Sequence, residues 1–269
     1  MNFCFEAKSW KSCVPNVICL DEIIRQGDKR FQKCLNAVRV GKITKEVREV
    51  LDSRVGALLH NDHGIRPTKL YSKNINVEKE NDVELDKLAK NGCEFYAYEM
   101  DIRVHSDLQR SKSYLIKKFR KYCSVSERVE LCVGAQVMLV KNIDLSCGLA
   151  NGSRGIVSGF NSYDMPIVRF LNGEERVVSM ELWEMDDRNR KAVRAYQIPL
   201  RVAYAISIHK SQGCSLDYAE IDLSDIFEHG QAYVALSRVK SLHGLSITAI
   251  NYDCIKADPV AVSYYEKLS

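Results

Sequence analysis

The spacing of apolar and polar positions changes character twice along the chain. Within residues 21–41, DEIIRQGDKRFQKCLNAVRVG, Phe31, Leu35 and Val38 fall at helical spacing and Gly41 supplies a stop, which predicts a helix. The stretch IRPTKLYSKNINVEKENDVELDKLAKNG predicts a short strand around Thr68–Tyr71, a polar turn, and a helix offering Val77, Leu85 and Leu88 to a core. The middle of the chain shortens its period. VGAQVMLVKNI, RGIVSGF and PIVRFLNGEERVVSM are β-rich runs, and the pairs Asn151-Gly152 and Asn172-Gly173 between them are hairpin signals, because both residue types tolerate positive φ. A small β-barrel is expected from about 130 to 185. In the last third, RVAYAISI, YAEIDLS and LSITAI read as strands and GQAYVALSRVKSL as a helix burying Ala232, Ala235, Leu236 and Val239. Such alternation implies βαβ units and a mostly parallel sheet. The fold expected is α/β: one parallel-sheet domain built from the first and last thirds, interrupted by a small β-barrel insert.

Composition narrows the class but not the chemistry. The chain has 269 residues, 46% of them hydrophobic, enough for substantial cores in one large domain or two ordinary ones. It contains no apolar run of membrane-spanning length, and Glu6, Lys8 and Lys11 break any signal-peptide core near the start, so a soluble, intracellular protein with no membrane partner is expected. Its ten cysteines are scattered and none lies in a CxxC pair, which favours reduced, packed thiols over a disulfide framework or a zinc site. A net charge of +4 permits a polyanionic partner without requiring one.

The candidate chemistry begins at AISIHKSQGCSLD, residues 205–217, where a strand runs into a polar cluster. Open α/β sheets keep their ligands outside the carboxyl ends of their strands. His209, Lys210, Ser211 and Gln212 offer donors suited to phosphate and sugar oxygens, and Gly213 lets a backbone approach closely. Taken singly, a histidine after a strand is a packed or capping residue and a lysine a solvated charge. Two arginines also stand out, Arg25 in IIRQGD and Arg238 in QAYVALSR. Each has a plain reading as a cation at an element end, complementing a helix dipole. The functional reading is that both reach a nucleoside triphosphate held mainly by another domain, where a bidentate cation stabilises the transferred phosphoryl group. The run LQRSKSYLIKKFRKYC, 108–123, mixes cations with Tyr114, Phe119 and Tyr122 as single-strand binding surfaces do, but reads more simply as an amphipathic surface helix with Tyr114, Leu115 and Phe119 turned inward. VRVGKIT imitates a phosphate loop yet has Asn36 and Ile43 where a Walker loop needs glycine and a hydroxyl, and no other segment supplies one.

Three groups of segments, in order across nearly the whole chain, resemble the petite-integration-frequency (PIF) DNA helicases and their RecD-like relatives of superfamily one. The carriers are FCFEAKSWKSC with IIRQGD, then LCVGAQVMLVKNIDLSCGLANGSRGIVSGF, then QIPLRVAYAISIHKSQGCSLD with GQAYVALSRVKSLHGL. The resemblance implies an ATP-driven motor moving 5′→3′ on single-stranded DNA and opening duplexes or G-quadruplexes, in replication, repair, recombination or telomere maintenance. It implies that Arg25 and Arg238 are the motif IV and motif VI arginines at the γ-phosphate, with Gln212, Gly213 and Gln231 also on the ATP side and Tyr233 within motif VI. Ser207, His209, Lys210, Ser211 and Gln212 would line the single-strand track. It also implies an inserted SH3-like barrel at 130–185 between two parts of a RecA-like domain, divided as 1–95, 96–195 and 196–269. Family members carry their Walker A and B motifs in a preceding nucleotide-binding domain, which would hold most of the ATP and Mg2+. The expectation is therefore a C-terminal motor half, inactive alone, whose partners are single-stranded DNA, duplex junctions and an N-terminal RecA-like domain in cis or in trans. Its compartment would be nuclear or mitochondrial in a eukaryote. The alternative is a non-catalytic single-stranded DNA-binding module of the same descent.

Overall fold

The computed structural model describes residues 3–20, 22–59, 64–105, 111–123, 125–187 and 190–268. Helices α1 (Trp10–Cys13), α2 (Lys29–Arg39) and α3 (Lys45–Asp52) precede strand β1 (Thr68–Tyr71) and the long helix α4 (Asn74–Lys90). Strands β2 (Phe95–Glu99) and β3 (Asp101–Val104) lead to helix α5 (Lys112–Tyr122). The β-rich middle follows as β4 (Arg128–Cys132), β5 (Gln136–Leu139), β6 (Arg154–Phe160), β7 (Pro166–Phe170), β8 (Glu175–Val177), β9 (Glu181–Asp187) and β10 (Arg190–Gln197). The chain closes with β11 (Leu200–Val202), β12 (Ala205–Ser207), β13 (Ala219–Leu223), helix α6 (Gln231–Leu236), β14 (Leu245–Ile250) and helix α7 (Pro259–Glu266).

The first unit is an α/β layer around a parallel sheet of order β12-β1-β13-β14. Its strand β1 precedes the β-rich middle and the other three follow it, so one sheet is assembled from both ends of the chain. The sheet and helices α2, α3 and α6 bury Phe31, Leu35, Leu51, Leu70, Ile221, Leu236 and Ile247 in a common core. Helix α2 is shorter than the apolar spacing suggests, because the carboxylate of Asp28 accepts from the amides of Arg30 and Phe31 and starts the helix there. The residues just before it are instead non-helical and tied down from α2, whose Gln32 Nε2 donates to the carbonyls of Ile23 and Gln26. Asp28→Ala should therefore cost about 1 kcal/mol in a denaturant titration and loosen this entry segment.

The middle does not form the closed barrel expected from its sequence. Its largest sheet has the order β11-β5-β6-β7-β8, flanked by a three-stranded sheet β3-β10-β9 and the pair β2-β4, and among the described residues β8 does not pair back to β11. All three residues of β8 are exposed, so nothing drives that edge to close. The two Asn-Gly turns are present, with Gly152 at φ +97° and Gly173 at φ +88°. The run RVAYAISI is also not one strand. It crosses from one sheet to the other at Ala203–Tyr204, so that β11 pairs antiparallel with β5 and β12 parallel with β1. The crossing is fixed by Gln136, whose Nε2 donates to the carbonyls of Arg66 and Ala203 and whose Oε1 accepts from the Arg66 amide.

A buried arginine ties the two units further. Arg154, 1% exposed, sends Nη1 from β6 to the Arg66 carbonyl and the Thr68 hydroxyl at the root of β1, and burial pulls its pKa down to about 10. Helix α5 buries Leu115 and Phe119, four residues apart on one face, and leaves Tyr114, about a third of a turn round the helix from that face, outside at 48% exposure. Residues 108–110 of the basic run lie outside the described residues.

Candidate functional site

The two arginines singled out in the sequence, 213 positions apart, meet on one short edge. Arg25 donates from Nε to Ser215 Oγ and from Nη1 to the Ser237 carbonyl, both at 3.0 Å. Arg238 donates from Nε to the Val234 carbonyl at 2.8 Å and from Nη2 to Ser237 Oγ at 2.8 Å. Both side chains are half-buried. Next to Arg25, the buried amide of Gln26 donates to the carbonyls of Ser237 and Val239 and clamps the entry segment on this edge. Burial, and then the neighbouring Arg25 charge, hold the pKa of Arg238 below the usual arginine range. Two half-buried cations with no carboxylate bonded to either among the described residues make a place where an anion is favoured, because it would offset the cost of burying their charge. Helix α6 ends at Leu236, earlier than its apolar spacing suggests: the Ser237 hydroxyl and Arg238 Nε both turn back onto the Val234 carbonyl. That turn is what presents Arg238 beside Arg25.

The polar cluster after β12 forms a 3-10 turn at His209–Ser211, which sends consecutive side chains to different places. Ser207 and Lys210 line a groove of about 900 Å³, together with Arg201 and with Phe119, Arg120 and Lys121 from the end of α5. His209 and Gln212 line a separate cleft of about 390 Å³ with Gln231 at the start of α6. His209 Nε2 lies 2.8 Å from Glu228 Oε2. Gln231 is buried, its Oε1 accepting from the amides of Phe227 and Glu228 while its Nε2 has no partner among the described residues. Ser211 is fully buried and its hydroxyl donates to the Ile208 carbonyl. Gly213 follows at φ +84°, a conformation that side chains with Cβ rarely adopt. The structure thus brings Arg25 to Arg238, and Gln212 to Gln231 and His209. It does not bring those two sets together: Gln231 and Arg238 sit at opposite ends of α6, separated by about 10 Å of helical rise.

Sequence reasoning missed several of the side chains that build this region. Ser215 and Ser237 are the acceptors that hold the arginines, and no motif marks a serine for that work. Arg201, whose pKa burial lowers, lines the groove from β11. The α5 cations were legible as a charge run, but only the fold shows that their helix end reaches the groove holding Lys210. Among the described residues, no three His, Cys, Asp or Glu side chains converge as a metal site needs. No helix there is long and apolar enough to cross a membrane.

Comparison with known proteins agrees with this architecture. Residues 119–160 match the family model described as the DNA helicase Pif1 2B domain. An ATP-dependent DNA helicase PIF1 from Xenopus laevis is 38% identical over 268 residues, which is 99% of this chain and 40% of that protein, so the chain spans well under half the length of this relative. The crystal structure of Pif1 helicase from Candida albicans superposes with a TM-score of 0.73 at 30% identity, covering 99% of this chain and 64% of that one. The crystal structure of Pif1 helicase from Bacteroides in complex with ADP-AlF3 and single-stranded DNA gives 0.57 at 27% identity, over 93% of this chain and 56% of that one. Over nearly all its length the chain is thus similar, in sequence and in fold, to one part of the longer Pif1 helicases.

Proposed function

We propose that this chain is the C-terminal motor half of an ATP-dependent, 5′→3′ DNA helicase, acting with a nucleotide-binding lobe supplied in cis or in trans. The observation that carries the reading is the pairing of Arg25 and Arg238 on the Ser237 edge, with no carboxylate bonded to either among the described residues. In the assembled motor these guanidiniums face the γ-phosphate of ATP, whose Mg2+ is held by the other lobe, and stabilise charge on the phosphoryl oxygens as they separate from ADP. Gln212, Gly213 and Gln231 also belong to the ATP-facing side on this reading, although Gln212 and Gln231 line a separate cleft at the other end of α6 from Arg238. The extended segment before Arg25 exposes Ile18, Leu20 and Ile24 at 85–89%, an apolar strip suited to packing against that lobe. Without it the chain hydrolyses ATP negligibly.

The groove supplies the track for single-stranded DNA. Lys210, Arg201 and Lys121 place cations beside Phe119 and Ser207, a combination that follows phosphates and tolerates any base. His209 and Ser211 act from within the same turn, fixing Lys210 at the groove rather than lining it. The β-rich middle takes the part of the family's SH3-like insert, holding strands at a duplex junction, and the motor domain and this insert divide as 1–95, 96–195 and 196–269 except that β10 and β11 carry the insert on to Val202. In a eukaryote such a chain works in the nucleus or mitochondria.

Two measurements test the reading. Adding the nucleotide-binding lobe to this chain should restore ATP hydrolysis that single-stranded DNA stimulates. Hydrolysis that stays absent, with salt-sensitive DNA binding intact, would favour the non-catalytic binding module instead. Lys210→Ala should weaken binding to all single-strand sequences alike and reduce the slope of log affinity against log salt by about 0.7, one released counterion's worth. A slope equal to that of the unmodified chain would remove Lys210 from the track.

A further inference from the structure

The two Asn-Gly turns of the β-rich middle look equivalent in sequence and are not equivalent in space. At Gly173 a Cβ would meet nothing within 4 Å. At Gly152 it would lie 2.9 Å from the Ser215 amide nitrogen, closer than real Cβ atoms come to a backbone, and a tight 3.1 Å from Cys214 Cβ. The turn is pressed against the loop that follows Gly213, with Asn151 Oδ1 3.5 Å from Cys214 Sγ. It is braced from behind by the Gly152 amide on the Leu139 carbonyl and the Asn151 amide on Asn142 Oδ1. The loop it presses on serves both arginines. Ser215 Oγ accepts from Arg25 Nε, and the Leu216 amide donates to the Arg238 carbonyl at 2.9 Å. Cys214 sits close enough for the charges of Arg201, Arg238 and Arg25 to bear on its thiol, although burial is what raises that thiol's pKa.

We infer that the Asn151-Gly152 turn is a positioning element that sets the loop 214–216, and through Ser215 and Leu216 the placement of Arg25 and Arg238, so that the β-rich middle and the arginine pair move as one. The turn acts by contact alone. Any shift of the β-rich middle, such as engagement of a DNA junction would cause, is passed to Ser215 with no flexible segment between. Gly152 and Ser215 are thus positioning residues, and the inference rests on the reading of the arginine pair given above.

The test compares Gly152→Ala with Gly173→Ala, two substitutions that impose the same positive-φ strain in one sheet but differ in contact. In the intact chain, the Arg25 Nε–H resonance reports its bond to Ser215 directly. It should shift or broaden in Gly152→Ala, vanish into fast solvent exchange in Ser215→Ala, return in Ser215→Thr, and stay unmoved in Gly173→Ala. In the chain assembled with its nucleotide-binding lobe, Gly152→Ala and Ser215→Ala should lower kcat for DNA-stimulated hydrolysis by up to about 10²-fold, the cost of a misplaced catalytic group. KM and the affinity for single-stranded DNA should stay within about twofold, as expected when only transition-state contacts are lost. Gly152→Ala and Gly173→Ala giving the same Arg25 signal would overturn the inference. So would an unchanged signal in Ser215→Ala, the deciding variant should Gly152→Ala fail to fold. A shifted signal in an assembly whose hydrolysis is indifferent to Arg25→Ala would leave the contact standing and remove the proposed function.

Discussion

Arg238→Ala, in the chain assembled with a nucleotide-binding lobe, is expected to lower DNA-stimulated kcat by about 10³-fold or more while leaving single-strand affinity nearly intact. The size follows from where the charge is placed. Arg238 is half-buried and bonded through Nε and Nη2 to acceptors of its own turn, which fixes the guanidinium plane before any nucleotide arrives. Arg238→Lys should rescue little, because an ammonium cannot keep the bonds to Val234 and Ser237 and also present a planar donor fork. Arg25→Ala should fall in the same range, and the double variant little below either single one, since on the proposed reading the two act on one anion as a unit. Steady-state ATPase measurements with saturating single-stranded DNA decide this. Additive losses in the double variant would mean that the two arginines serve different steps.

Gly244→Ala should be the most damaging single-methyl change in the parallel-sheet unit. An added Cβ would lie 1.9 Å from the Asp217 carbonyl oxygen and 3.4 Å from Val239 Cγ1. A carbonyl oxygen in a paired segment cannot step aside as a flexible side-chain end can, so the loss should reach about 3 kcal/mol or more, read as a lowered denaturant midpoint. The neighbourhood makes the substitution a functional lesion too. Leu216 exchanges amide bonds with Arg238 and Lys240, and Asp217 pairs with Lys240 at 2.8 Å, so pushing on Asp217 pries at the segment that carries Arg238. Even where the variant folds, its kcat should fall further than its stability explains.

Both effects rest on contacts that the sequence does not display, although much of the frame is written there. The strand Thr68–Tyr71 and the helix running into Lys90 were legible because turn residues bound both, although among the described residues only Leu85 and Leu88 of the helix's apolar side chains pack against a core. The parallel sheet was legible because strand and helix patterns alternate on both sides of the β-rich middle. Closure of the barrel was not, because a run of apolar residues gives a strand but not the partner of its outer edge, and β8 is exposed throughout. The break in RVAYAISI depends on Gln136, 67 positions before Ala203, a long-range hydrogen bond with no local signature. At the site, Arg25 and Arg238 stood out as residue types in suggestive settings, while Ser215 and Ser237 matter only because the fold places them under those arginines. The cluster at 207–213 read as one surface, and its 3-10 turn divides it between two.

The most direct test is a solved structure of this chain assembled with its nucleotide-binding lobe, Mg2+ and ADP-aluminium fluoride, a mimic of the phosphoryl group in flight. The account expects the guanidiniums of Arg25 and Arg238 both within hydrogen-bond distance of the fluorides, still resting on Ser215 and Ser237. A fluoride group contacted by neither arginine, with the pair left facing solvent or DNA, would contradict it.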